Sequence, residues 1–80
     1  MSLGRNSALA AARQLLRTFA SAPEPRRHAR MIYAELSAVD GWTRTEQTAV
    51  DALGSWLQDQ PPIAELKPRC AKIVAGLGQV

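Results

Sequence analysis

Hydrophobic residues recur every three to four positions along most of this chain, which is the spacing of one face of an α-helix. The clearest case is a helix predicted over residues 43–59. Its apolar face consists of Val50, Leu53, Trp56 and Leu57. Thr43 and Glu46 form a capping box, in which each side chain satisfies a backbone N–H at the helix start. Trp56 is the largest side chain on that face, so we expect it at the centre of the core.

Two helices are predicted before this segment. The first covers residues 7–20, with Asn6 or Ser7 as its cap and an apolar face of Leu9, Ala12, Leu16 and Phe19. The second covers residues 25–38 and begins at a proline, which the first helical turn tolerates. Ile32, Leu36 and Val39 are expected to point inward, with Met31 or Tyr33 at the flank. Asp40-Gly41 is a turn signal before the next helix.

The C-terminal part is predicted to be less regular. Gln60-Pro61-Pro62 ends the preceding helix, and Pro68 disfavours helical geometry at Lys67. We therefore expect a short turn and then a short last helix over residues 68–77, with Cys70, Ile73, Val74 and Leu77 on its inner face. The predicted fold is all-α: a small antiparallel helical bundle of three longer helices plus a short C-terminal helix, in a single domain, residues 1–80.

Composition narrows the class of protein. The 80 residues are 46% hydrophobic, which is ordinary for a globular domain, and the apolar runs are too short to span a bilayer. The single cysteine cannot form an intramolecular disulfide and suits a reducing compartment, so we expect a cytoplasmic protein. Residues 1–22 are Arg-containing and free of acids, so a mitochondrial transit peptide is the alternative.

Charge is distributed unevenly along the chain, although the net charge is only +3. Residues 1–30 carry six arginines and one glutamate, residues 31–60 carry five acids and one arginine, and residues 61–80 carry three bases and one acid. Opposite charges could pair inside one fold or across a homodimer. Alternatively, the basic segment could form a surface that binds nucleic acid or an acidic protein.

Arginine is concentrated at the start of the second predicted helix. Arg26, Arg27, His28 and Arg30 lie within its first turns, where cations oppose the helix macrodipole. This unfavourable interaction with the macrodipole is tolerated where the arginines are hydrated, or where they bind an anionic partner. Both interpretations stay open from the sequence.

Catalytic and metal-binding groups are scarce. His28 is the only histidine and Cys70 the only cysteine, so a Cys–His pair requires these two residues to meet. Zinc needs three or four His, Cys or acidic ligands. Asp51, Glu35 and Asp40 could form a carboxylate pair, but acids on helices are usually hydrated. We therefore expect no enzyme activity, no cofactor and no metal.

A helix-turn-helix nucleic-acid binder is one functional hypothesis. Helix, Asp40-Gly41 turn and helix have the right order, and Arg44, Thr45, Gln47 and Thr48 are residue types that contact phosphates and base edges. Glu46 and Asp51 on the same helix argue against it, because they repel the DNA backbone.

The favoured hypothesis is a non-enzymatic protein-interaction module, such as a regulator, adaptor or inhibitor of bacterial or phage type. The predicted contact residues are Arg26, Arg27, Arg30, Tyr33 and Trp42. The arginines would attract an acidic partner surface, and the aromatic side chains would supply buried contact area. No membrane association is expected.

Overall fold

The computed structural model describes residues 4–77, which form four α-helices, one 3₁₀ helix and no β-strand. The α-helices are α1 (Arg5–Arg17), α2 (Pro25–Ser37), α3 (Arg44–Gln58) and α4 (Ile63–Leu77), and the 3₁₀ helix is Phe19–Ser21. The prediction of an all-helical chain is therefore confirmed for residues 4–77. No helix within this range is long and apolar enough to cross a membrane.

The start of α1 differs from the prediction. Gly4 is the N-cap and contributes no side-chain hydrogen bond, so the assignment of Asn6 or Ser7 as the cap is wrong. The helix begins at Arg5, and the guanidinium of this residue contacts Glu46 and the Leu77 carbonyl. At the other end the α-helix stops at Arg17, and a 3₁₀ turn carries Phe19 into the core.

The starts of α2 and α3 agree with the sequence. α2 begins at Pro25, as predicted, and ends one residue earlier than expected. At α3 the Thr43 hydroxyl accepts from the Glu46 N–H at 3.2 Å, and the Thr43 N–H donates to Glu46 Oε1 at 2.9 Å. Both halves of the capping box are present, so the predicted start of this helix is confirmed.

The largest correction concerns α4. This helix spans Ile63–Leu77 and is 15 residues long, as long as α3, so the prediction of a short helix over residues 68–77 is wrong. Pro68 lies inside the helix and lacks the N–H that would bond to the Ala64 carbonyl. Both residues are exposed, so water can hydrate that carbonyl. The helix continues because its inner face is buried on both sides of the proline: Leu66, Cys70, Val74 and Leu77.

The core is centred on α2, which packs against each of the other three α-helices. Its fully buried Ile32 and Leu36 meet Val50 and Leu53 of α3 in one continuous cluster. Trp56 lies at the edge of this cluster and is only half-buried, so its predicted central position is wrong. Trp42, from the connection between α2 and α3, is buried instead, and its indole N–H donates to the Leu36 carbonyl at 2.8 Å.

Gly54 allows α2 and α3 to approach each other. A Cβ at this position would lie 2.6 Å from the Tyr33 ring, far inside van der Waals contact. The Tyr33 side chain therefore packs directly on the α3 backbone and is half-buried there. Glycine lowers helix propensity at a mid-helix position, and close packing of an aromatic ring is the compensating gain.

The two ends of α1 lie against different parts of the chain. At its start, Arg5 contacts Glu46 at the beginning of α3 and Leu77 at the end of α4. At its end, the Leu15 carbonyl accepts a hydrogen bond of 2.5 Å from His28 Nε2 of α2. These contacts place the beginning of α2 at the opposite end of α1 from Arg5.

Candidate interaction surface

The predicted arginine cluster lies at the start of α2 and faces solvent. Pro25 occupies the first helical turn, and the preceding Glu24 provides no side-chain cap. Arg26, Arg27 and Arg30 are all exposed. No acidic residue lies in this first turn to offset their unfavourable interaction with the helix dipole.

Arg26 has a structural contact that the sequence did not reveal. Its Nη1 donates to the Pro61 carbonyl at 2.8 Å, which ties the start of α2 to the connection between α3 and α4. The preceding residue, Gln60, has a φ of 52° and so adopts the left-handed conformation. Arg26 therefore stabilises this connection as well as adding positive charge.

Arg27 and Arg30 are free to bind. The Arg27 guanidinium lies 3.8 Å from the Glu24 carboxylate, with both side chains about 70% exposed (74% and 68%), so this ion pair is weak. Within residues 4–77, Arg30 takes part in no ion pair. These two guanidinium groups are consequently available to carboxylates of another molecule.

Exposed hydrophobic side chains adjoin the same arginines. Among residues 4–77, the two large hydrophobic residues with the most exposed side chains are Met31 (45%) and Ile63 (53%). Met31 follows Arg30 and lies one turn beyond Arg27 on α2. Ile63 shares a shallow hollow of about 290 Å³ with the three arginines and with Glu24. We call Arg26, Arg27, Arg30, Met31 and Ile63 the basic patch.

The two aromatic residues predicted to contact a partner lie elsewhere. Trp42 is 9% exposed and hydrogen-bonded inside the core, so it offers no contact area, and we withdraw it from the candidate site. Tyr33 is half-buried against Gly54 of α3. Sequence reasoning missed Ile63, because the expected break at Pro68 assigned it to a turn rather than to the exposed first turn of α4.

His28 and Cys70 have separate roles. The Leu15 carbonyl can only accept, so the 2.5 Å contact requires a proton on His28 Nε2, and the imidazole also packs edge-on against Phe19. Cys70 is buried in α4, and desolvation raises the pKa of its thiol from 9.0 to about 11. The thiol is therefore protonated at neutral pH and weakly nucleophilic.

Two of the four residues of the nucleic-acid hypothesis form side-chain hydrogen bonds within α3. Arg44 and Thr45 are exposed. The Thr48 hydroxyl donates to the Arg44 carbonyl at 2.9 Å, and the Gln47 amide donates to the exposed Asp51 carboxylate at 2.9 Å. Glu46 pairs with Arg5 rather than with Arg30 or Arg44. The Asp51 charge therefore stays at the surface that would face DNA.

Comparisons with known proteins add no assignment: no family model, curated protein or solved structure matches this chain. Within residues 4–77, no three His, Cys, Asp or Glu side chains cluster in a way that could hold a metal ion.

Proposed function

We propose that this protein is a non-enzymatic interaction module that binds an acidic protein surface through the basic patch. One observation carries the proposal: the exposed hydrophobic residues Met31 and Ile63 lie beside Arg27 and Arg30, two arginines with little or no pairing in the fold. Such a module would act as a regulator, adaptor or inhibitor, by occupying its partner's surface.

The two kinds of side chain have complementary effects on binding. Burying Met31 and Ile63 removes apolar area from water, which supplies affinity. Arg27 and Arg30 raise the association rate and select partners that carry carboxylates. Arginine and methionine are also enriched at protein interfaces relative to other surfaces. Arg26 contributes charge while remaining bonded to Pro61.

A photo-cross-linking experiment tests this proposal. A photoreactive amino acid at Met31 would capture the partner in cells, and mass spectrometry would identify it. The affinity of the purified partner would then be measured for the wild type and for Arg27→Glu/Arg30→Glu. We expect a loss of at least about tenfold, because two carboxylates would replace two guanidinium groups.

The matched control is Arg13→Glu/Arg44→Glu, which makes the same charge change at exposed positions of α1 and α3. It should lower the affinity by less than about threefold, since only long-range attraction is lost. Equal losses in the two variants would show a non-specific charge effect and refute the basic patch as the contact surface.

A helix-turn-helix regulator remains the alternative, and a titration with mixed-sequence duplex DNA discriminates between the two. Binding that weakens steeply with salt and is lost in Arg44→Glu would replace the protein-interaction proposal. Size-exclusion chromatography with light scattering tests the homodimer version, in which the acidic partner is a second copy of the chain.

Two finer expectations belong with this proposal. The contacts at the two ends of α1 support an antiparallel arrangement of the helices. A free, buried Cys70 supports a cytoplasmic location, where thiols stay reduced.

A further inference from the structure

A second surface, which the proposed function does not use, lies between α3 and α4. Two hollows of about 370 Å³ each lie along the contact between α3 and α4, and Arg69 and Lys72 line both of them. We call it the α3–α4 groove. Its principal wall residues are Ala49, Ala52, Trp56, Arg69, Lys72 and Ile73. None of these belongs to the basic patch.

The charge of the groove is positive and largely unpaired. Within residues 4–77, neither Arg69 nor Lys72 takes part in an ion pair. Glu65 is the one acidic residue in the walls, and it lies toward the start of α4. The hollow beyond it, toward the end of α4, is lined by both bases and by no acid.

Arg69 is already held in position. Its guanidinium carbon lies 5.1 Å from the centre of the Trp56 ring, a cation–π contact that leaves the N–H edges of the group free. An arginine held in this way loses less side-chain entropy when it binds a carboxylate. Its partner Trp56 is half-buried at the edge of the core cluster.

The shape of the groove fits a helix. From Ala64 to Gly76, α4 provides a wall of about 18 Å, the length of a helix of roughly 12 residues. On the α3 side, the short side chains of Ala49 and Ala52 leave the groove open. The half-buried Trp56 and Ile73 supply apolar contact. No β-strand edge is present in residues 4–77 to which an extended peptide could add.

The groove combines the apolar side chains of Trp56 and Ile73 with the cations Arg69 and Lys72, which take part in no ion pair within residues 4–77. We therefore propose that the α3–α4 groove binds an amphipathic helix of a partner protein, with aliphatic residues on one side and Asp or Glu beside them. The aliphatic side chains lie along Trp56 and Ile73. The carboxylates lie within reach of Arg69 and Lys72. This is recognition of a helix in a groove, with charge complementarity fixing which helices bind.

A defined probe tests the proposal on the full chain. It is a fluorescein-labelled peptide of about 14 residues, with leucines at helical spacing and glutamates flanking them. Fluorescence anisotropy gives its affinity, and amide chemical shifts of the ¹⁵N-labelled protein locate it. We expect shifts at α3 and α4 residues of the groove, and a peptide with lysine in place of glutamate should bind at least about tenfold more weakly.

Variants separate the charge from the groove. Arg69→Glu/Lys72→Glu should lower the affinity at least about tenfold, and Ala52→Gln, which fills the groove without changing charge, should also weaken binding. Arg13→Glu/Arg17→Glu on α1 and Arg27→Glu/Arg30→Glu on the basic patch should each change it less than about threefold. Circular dichroism confirms that each variant is folded.

Three results would overturn the proposal: no binding of the glutamate peptide, equal binding of the lysine peptide, or the same affinity in Arg69→Glu/Lys72→Glu. If the protein does not bind the peptide but binds vesicles containing phosphatidylserine through Arg69 and Lys72, the groove would instead be a membrane-binding surface. None of these outcomes bears on the basic patch, because its test uses other residues.

Discussion

The two ends of α1 are surrounded by different arrangements of arginine. At the start of the helix, Arg5 pairs with Glu46, lies 5.4 Å from the centre of the Trp42 ring and donates to the Leu77 carbonyl. At the other end, Arg27 and Arg30 of α2 face solvent beside exposed hydrophobic side chains. The same residue type therefore stabilises the fold at one end and is left available at the other.

This difference shows why net charge is a poor guide to a binding surface. The basic segment of residues 1–30 contains both kinds of arginine, and the sequence alone does not separate them. What separates them is whether the partner that the fold supplies is shielded from water: the Glu46 side chain beside Arg5 is 14% exposed, whereas the Glu24 side chain beside Arg27 is 68% exposed.

We call the start of α1, where Arg5 pairs with Glu46, the paired end. Of the side chains there, Trp42 should contribute most to the free energy of unfolding. Trp42→Ala removes a buried side chain and its hydrogen bond to Leu36, and we expect a loss of about 3–5 kcal/mol in the free energy of unfolding. Trp56→Ala, at the half-buried position under Arg69, should cost about 1–2 kcal/mol. Urea denaturation measures both. Equal losses would contradict the assignment of Trp42 to the core.

Glu46 should make the paired end sensitive to acid. The Thr43 backbone N–H, and to a smaller extent the Thr43 hydroxyl and the charge of Arg5, hold the pKa of Glu46 below its ordinary 4.5. A carboxyl with a lowered folded pKa adds stability that is complete above 4.5 and is lost as pH falls through the folded value.

Glu46→Gln should therefore flatten the decline in unfolding free energy below pH 4.5. Arg5→Met should flatten it only in part, because the Thr43 contacts remain. Glu24→Gln, an exposed acid at the other end, is the matched control and should leave the wild-type decline in place. Denaturation curves at pH 3 to 7 provide the measurement, and a Glu46→Gln curve that declines like the wild type would refute this role.

Substitution of Gly54 tests how closely α2 and α3 pack between the two ends of the molecule. Alanine normally stabilises a helix relative to glycine by about 1 kcal/mol. At Gly54 we expect the opposite, because the new Cβ would displace the Tyr33 ring. In a Tyr33→Ala background the clash is absent, and Gly54→Ala should regain the stabilising effect. Thermal melts of the four proteins of this cycle would show whether the sign reverses.

Gln60 should reveal strain near the basic patch. Its φ of 52° places a residue with a Cβ in the left-handed region that follows a helix end, where glycine is preferred. Gln60→Gly is expected to stabilise the protein by about 0.5–1 kcal/mol. Ser55→Gly, at an exposed position inside α3, serves as the control and should destabilise it.

The smallest effect on stability is expected at Arg27 and Arg30. Arg27→Met/Arg30→Met should change the unfolding free energy by no more than about 0.5 kcal/mol, whereas Arg5→Met should lower it by more. Chemical denaturation compares the two proteins directly. A large loss in the double variant would show that these arginines stabilise the fold and would count against the basic patch.

Local signals in the sequence predicted α2 and α3 well. Pro25 and the Thr43–Glu46 capping box act through a few neighbouring residues, so they can be read without the fold. α4 could not be predicted in this way, because Pro68 has a strong local cost of about 3 kcal/mol. Its continuation depends on burial of Leu66 and Cys70 against other helices.

The candidate surface was predicted only in part. Helical periodicity placed Trp56 in the core and left Trp42 undecided. Trp56 contacts Arg69 of the next helix, and Trp42 is buried because the connection after α2 turns back over the end of that helix, where its indole bonds to the Leu36 carbonyl. The hydrogen bond from Arg26 to Pro61 joins residues 35 positions apart and has no local signature. The arginine cluster itself was evident from the sequence, whereas its hydrophobic neighbour Ile63 was not.

The contact between Arg5 and the Leu77 carbonyl has a consequence for folding during synthesis, since it joins residues 72 positions apart. α1 and α2 can pack on each other as soon as both have left the ribosome, because their contacts span few residues. α4 is synthesised after α1, α2 and α3 and packs on all three. Until it emerges, the apolar faces of α1 and α2 that it covers remain open to water and to chaperones.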